Sequence, residues 1–181
     1  EIVTHPMQPK WALENFPFDL FDESIAKGIF FNTSGSTGTH IHMNKEAFTN
    51  AHMWKFLQLH IRLAKFCEIV GGRSNNRWGS FSTMAEDQRS RMKDIAQKKI
   101  RTGHFQRYSA VNLRNDYTIE LRYPRGGIDG AEIKKNIQWA QVLYDFSNYI
   151  RTSDVVDGVL NDPGYLLEWI DNNTEYKELA A

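Results

Sequence analysis

The stretch Thr118-Ile119-Glu120-Leu121-Arg122-Tyr123 alternates between small or charged residues and large apolar ones without a break. Successive side chains of a β-strand point to opposite faces. Ile119, Leu121 and Tyr123 therefore share one face, and Thr118, Glu120, Arg122 and Pro124 share the other. A second run over 105–113 precedes it, and Arg114-Asn115 between them predicts a tight turn, so the pair reads as a hairpin of strands 105–113 and 116–124. Such a hairpin can be buried on one side only. The chain must supply helices to cover Ile119 and Leu121, and the face carrying Glu120 and Arg122 stays open.

The helices are legible from their periodicity. Phe48, Met53, Phe56, Leu57, Leu59, His60, Leu63 and Phe66 predict a long helix over 45–67, with Asn44 as its cap. Ile133, Ile137, Trp139, Ala140, Leu143, Tyr144 and Phe146 predict another over 130–149, capped by Asp129. Shorter helices are expected at 19–27, 85–98, 153–160 and 163–171, the last with Pro163 in its first turn. The rest of 8–28 reads as an aromatic-rich connection. Short strands are expected at 29–33 and 39–43. This order predicts an α+β fold, an antiparallel sheet with helices packed on one face. A length of 181 residues suits one domain over 1–181, in which 151–181 forms an acidic, solvated, helical C-terminal extension.

Charge narrows the function classes. Lys plus Arg is 22 and Asp plus Glu is 22, which weighs against a general nucleic-acid binder. The local run Arg89, Arg91, Lys93, Lys98, Lys99, Arg101 is the best candidate for a polyanion contact, and it reads equally as a solvated helix face. The single cysteine, Cys67, excludes an intrachain disulfide and is expected to be a buried small apolar residue. No apolar run approaches the ~20 residues of a membrane span, and no signal peptide is present, so a cytoplasmic location is expected. The chain opens at Glu1 without an initiator Met, inside what reads as the end of a strand; a fragment, a processed product or a trimmed chain is expected.

Two pairs of residues could carry chemistry. His40 and His42 lie two apart on a predicted strand and so face the same way, able to hold a metal ion or an anionic substrate. By itself a His-x-His pair also fits two surface or packing histidines. Glu120 and Arg122 suit a site for a metal and a phosphate: the carboxylate offers hard oxygen to Mg²⁺ and the guanidinium clamps a phosphoryl oxygen. They equally fit an ion pair on a wet sheet face. Arg73 and Arg77, in a loop with three glycines, could close over an anion, and Arg125 adds positive charge near the hairpin. His52 and His60 read as histidines on a helix face with no assigned role, and His104 is uncommitted. Walker, dinucleotide-binding and HExxH motifs are absent from the sequence.

Taken in order, Glu1-Ile2-Val3-Thr4-His5-Pro6, Gly38-Thr39-His40-Ile41-His42-Met43, Ala47-Phe48, Gly72-Arg73, Tyr108-Ser109-Ala110-Val111-Asn112-Leu113 and Thr118-Ile119-Glu120-Leu121-Arg122 resemble the amidoligase family of phages and bacteria. That family is related to glutamine synthetase and glutamate–cysteine ligase. The resemblance touches points from residue 1 to about residue 127. It implies a partial glutamine-synthetase-like catalytic fold and an ATP-dependent carboxylate–amine ligase, which forms an acyl phosphate that an amine then attacks. It implies ATP and Mg²⁺ or Mn²⁺ as cofactors, and small-molecule or peptide carboxylates and amines as substrates.

Carried across residue by residue, the resemblance makes His40, Glu120 and Glu1 the metal ligands. His42 becomes the contact to the substrate carboxylate, Arg122 the phosphate-contacting arginine, and Arg73 the arginine of the loop after the helix. Arg122, Arg73, Arg77 and Arg125 are then the expected ATP-binding residues. The family's earlier strand with paired glutamates has no counterpart here, and Thr118 stands where glutamine synthetase has another arginine. The chain is therefore expected to be incomplete at its N-terminus, with another chain as a candidate to complete it. The alternatives are a non-catalytic scaffold or interaction domain that keeps the ligase fold, and a polyanion-binding or nuclease-like module built on the basic loop and hairpin.

Overall fold

The computed structural model describes residues 3–27, 37–73, 77–86, 106–126, 130–176 and 179. The sheet is small. Strands β1 (Ile41–Asn44), β2 (Val111–Asn112) and β3 (Thr118–Leu121) lie in the order β1-β3-β2, all antiparallel. The register places His42 opposite Glu120, and Asn112 opposite Glu120 on the other side. Pairing continues irregularly past the strand ends: Arg122 N–H donates to the Ala110 carbonyl, and Gly38 bridges to Arg125. The fold is thus mixed α+β with a small antiparallel sheet and packed helices, as expected from the strand and helix order.

Among the described residues the α-helices are α1 (Pro9–Asn15), α2 (Asp19–Ala26), α3 (Asn50–Arg62), α4 (Ala64–Val70), α5 (81–86), α6 (Gly130–Tyr149), α7 (Thr152–Val156) and α8 (Gly164–Asn172). Ile119, Leu121 and Tyr123 are fully buried in one cluster with Phe56, Leu57 and Leu59 of α3 and Trp139, Val142 and Leu143 of α6. Trp139 Nε1 donates to the Tyr123 hydroxyl over 2.9 Å, which ties α6 to the core face of the sheet. Burying each of these large apolar side chains contributes roughly 1.5–3 kcal/mol, so this face fixes which way β3 turns.

Several expectations need correcting. The helix expected over 45–67 is divided. Asn44 caps only a 3₁₀ turn, Lys45–Ala47, by accepting from Glu46 N–H. Phe48 and Thr49 are extended, and Thr49 is the cap of α3, accepting from His52 N–H. A second break falls at Leu63, between α3 and α4. Apolar spacing runs straight through both breaks; side-chain caps from Asn44 and Thr49 set the first, and the second, at Leu63, carries no side-chain cap. The strands are shorter than 105–113, 116–124 and 39–43.

The hairpin turn is also wider than Arg114-Asn115, spanning the five residues 113–117 between β2 and β3. Asn115 Oδ1 accepts from the N–H groups of Tyr117 and Thr118, and Lys45 Nζ donates to the Leu113 and Asn115 carbonyls. Asparagine closing its own backbone two and three residues ahead favours this longer loop. In the connection before residue 19, Pro9 starts an unexpected short helix, α1.

The segment from 151 onward contributes Val155, Leu160, Leu166, Ile170 and Tyr176 to the main core cluster, so its helices pack on the domain, with Asp157, Asp162, Glu168 and Asp171 exposed and Asp154 largely covered. The expected helix over 130–149 is matched by α6; its expected cap Asp129 lies outside the described residues, as do strand 29–33, most of helix 85–98, the basic run 89–101 and His104. Cys67 is fully buried, and burial pushes its thiol up to about 12, in keeping with an apolar role. None of the described helices is long and apolar enough to cross a membrane.

Candidate functional site

The face of the sheet opposite the core carries the site, and β3 builds its centre. Glu120 stands between β1 and β2 and takes donors from both sides. Arg122 Nη1 donates to Glu120 Oε1 over 2.7 Å, and His40 Nδ1 lies 3.0 Å from the same oxygen. His42 Nε2 is 3.9 Å from it. Asn112 Nδ2 donates to the other oxygen, Oε2, over 2.7 Å. Burial acts to raise the Glu120 pKa. The hydrogen bonds from His40, Asn112 and Arg122, with the Arg122 charge, outweigh it and bring the carboxyl from 4.5 to about 2. Glu120 is therefore an anion at any physiological pH.

Each partner is held in turn. His42 Nδ1 lies 3.0 Å from Thr118 Oγ1, which turns Nε2 toward Glu120. Asn112 Oδ1 accepts from Arg114 N–H, so its amide has a fixed orientation with Nδ2 toward the carboxylate. Arg122 Nε donates to the Trp78 carbonyl over 3.0 Å, and the Tyr108 ring lies 6.0 Å from the guanidinium. Trp78 and Tyr108 meet edge to face at 4.8 Å. Their two segments are joined by the Ser80–Ser109 bridge, so this wall is part of the folded frame.

Arg73 follows α4 and is buried beside Arg122; burial first, then the Arg122 charge, lowers its pKa. Its loop is anchored to the end of β3, where Arg125 N–H donates to the Gly71 carbonyl. Gly38 makes the room: a Cβ there would stand 2.7 Å from Arg73 Nη1 and 3.2 Å from the Pro124 carbonyl. The Arg122 guanidinium is paired with Glu120, and the Arg73 guanidinium lies close enough to feel the Arg122 charge.

The fold therefore brings together His40, His42, Glu120, Arg122 and Arg73. The Arg77 guanidinium lies over the Trp78 ring at 4.6 Å, and it is not among the groups bonded to Glu120. Arg125 turns to Glu132 on α6, 3.2 Å away. Glu1 lies outside the described residues. Sequence reasoning assigned no role to Asn112 or to the Trp78 carbonyl. Asn112 sits inside one of the quoted motifs, and its position opposite Glu120 in the hairpin register was the available signal; a backbone carbonyl leaves none.

His40 Nδ1 and Arg122 Nη1 both lie within hydrogen-bond reach of Glu120 Oε1, so that oxygen is already satisfied by the chain's own groups. Among the described residues there is no group of three or more His, Cys, Asp or Glu disposed to hold a metal.

The fold and site define an α+β domain with a buried carboxylate–guanidinium centre on the face of its sheet opposite the main core; that face was expected to stay open, but Glu120 and Asn112 are buried there and the Arg122 side chain is only 11% exposed, because the Trp78–Tyr108 wall and the Arg73 loop cover it. No family model, curated protein or solved structure matches the chain.

Proposed function

We propose that this chain is an ATP-dependent carboxylate–amine ligase of the amidoligase type, acting in the cytoplasm. The observation that carries the reading is the meeting of His40, His42, Glu120 and Arg122 on one sheet face with Arg73 beside Arg122. The order of motifs that resembles the amidoligases runs through these same residues and adds support.

In this reading a substrate carboxylate oxygen attacks the terminal phosphorus of ATP, and ADP leaves. The amine nitrogen then attacks the acyl carbon, phosphate leaves, and the nitrogen gives up a proton. Arg122 and Arg73 hold the charge that gathers on the phosphoryl oxygens. His42, steadied by Thr118, orients the acceptor carboxylate through Nε2. Asn112 keeps Glu120 turned toward His40.

Hydroxylamine tests the reading without knowledge of the natural amine, because it intercepts an acyl phosphate as a hydroxamate. The protein, ATP and Mg²⁺ or Mn²⁺ are incubated with a panel of amino acids and peptides, and hydroxamate and ADP are measured. Carboxylate-dependent formation of both is expected, reduced by about 10²–10³ in Glu120→Ala, the usual effect of removing one electrostatic partner. Wild-type rates in both Glu120→Ala and His40→Ala would overturn the assignment.

A second reading, a non-catalytic interaction domain on the same fold, is favoured by one observation: both oxygens of Glu120 already accept hydrogen bonds from the chain's own Arg122 and Asn112. A panel yielding no hydroxamate at all would favour it.

A further inference from the structure

Strand β1 is an edge of the sheet, whose order is β1-β3-β2. Lys45 N–H donates to the Tyr117 carbonyl, and in the same register Met43 faces Ile119 and Ile41 faces Leu121. Backbone groups of successive strand residues point to opposite sides, so the odd residues of β1 bond to β3. The N–H and C=O of His42 and the N–H of Asn44 then point away from the sheet. Among the described residues nothing bonds to these three groups. Ile41 and Met43, on the core face of β1, are only partly buried, whereas Ile119 and Leu121 beside them are fully buried. Sheet edges are commonly guarded by lysine or proline. β1 holds no proline, and the neighbouring Lys45 is turned inward to the Leu113 and Asn115 carbonyls.

We infer that this edge takes an extended segment of another polypeptide as an added antiparallel strand. One residue of the segment exchanges both backbone bonds with His42, and the residue two places before it accepts from Asn44 N–H. The side chain opposite His42 lies on the site face beside the half-exposed imidazole. Its two neighbours lie on the other face, over Ile41 and Met43. The ligand is therefore an extended segment with apolar, β-branched residues on either side of one polar residue. Backbone bonds supply the affinity and the alternation of side chains supplies the choice.

The inference goes beyond the proposed function, because binding at the edge needs neither ATP nor ligation. In the ligase reading, a glutamate opposite His42 would bring its carboxylate to that imidazole, so glutamate is the central residue of the probe. Peptide binding without hydroxamate would remove the ligase and leave the edge site. Hydroxamate without peptide binding would do the reverse.

Isothermal titration with the capped peptide Lys-Thr-Val-Glu-Val-Thr-Lys decides it. Saturable binding is expected. A methyl on the glutamate nitrogen removes the donor to the His42 carbonyl and should weaken binding about 10-fold or more. A methyl on the nitrogen of the valine before it points away from β1 and should leave the affinity unchanged. His42→Pro removes the outward N–H and spares the ladder to β3, since proline is tolerated where the N–H side of an edge strand faces solvent. It should weaken binding well beyond His42→Ala, which keeps that N–H. No binding of the unmodified peptide would overturn the inference, as would equal affinity for all three peptides. A dimer in solution that the peptide fails to dissociate would give the edge to a second copy and overturn it too. The peptide arms use the wild-type chain and stand even if His42→Pro fails to fold.

Discussion

Asn112 and Glu120 face each other across the β2–β3 ladder, and the Asn112 amide closes one oxygen of the carboxylate while leaving the other to His40 and Arg122. The pair divides Glu120 into a structural side and a working side.

Asn112→Ala should expose that division. It leaves Glu120 Oε2 buried without its donor, which costs about 1–3 kcal/mol. Urea denaturation should show a lower midpoint with an unchanged slope, the midpoint shift times the slope giving about 1–3 kcal/mol. A midpoint equal to wild type would mean that water or a neighbour replaces the amide.

His60 predicts an acid sensitivity of the core. Its ring is fully buried on α3, with Nδ1 2.8 Å from the Phe56 carbonyl, and burial lowers its pKa from 6.5 to about 4. A group whose folded pKa is depressed stabilises the fold above its unfolded pKa, and that stability is lost as pH falls from 6.5 toward 4. His52, also lowered by burial, adds in the same direction. The melting temperature should fall on acidification from pH 7 to pH 4.5, and His60→Leu should flatten part of that slope. An identical slope in the variant would show that His60 remains neutral in both states or is not buried.

Gly38→Ala separates the position of Arg73 from the rest of the site. The new methyl would crowd Arg73 Nη1 and the Pro124 carbonyl, and only the arginine tip can yield readily. Stability should drop by about 1 kcal/mol, while hydroxamate formation slows several-fold. A rate equal to wild type would place the phosphoryl group away from Arg73.

The alternation of Ile119, Glu120, Leu121 and Arg122 was enough to separate core from site, because a period of two has only one solution once one face is apolar. The span of α6 was legible for a similar reason, its apolar residues recurring over five turns. The division of the helix at Phe48–Thr49 and Leu63 was not, because it is decided by a threonine hydroxyl on one amide and by chain geometry that leave no mark on periodicity. The wide turn over 113–117 was misread because Asn115 can serve either a two-residue turn or a longer one closed by its side chain, and Lys45, distant in sequence, selects the second. Arg77 and Arg125 looked equivalent to Arg73 by charge. Only three-dimensional placement sends one to the Trp78 ring and the other to Glu132.

The alternation along β3 and its continuation also guards the assembly of the sheet. If β3 paired one residue out of step, Glu120 and Arg122 would turn toward Trp139 and Leu143, and Leu121 and Tyr123 would turn toward His40 and Asn112. An ion pair stripped of its His40, Asn112 and Trp78 hydrogen bonds would enter the core at the same moment that the core lost Leu121 and Tyr123. A chain with a neutral outer face could tolerate such slippage as a trapped intermediate; this one cannot. The same residues that make the site therefore proofread the hairpin, and a substitution made to change the chemistry at Glu120 or Arg122 also loosens the check on how the strands first meet.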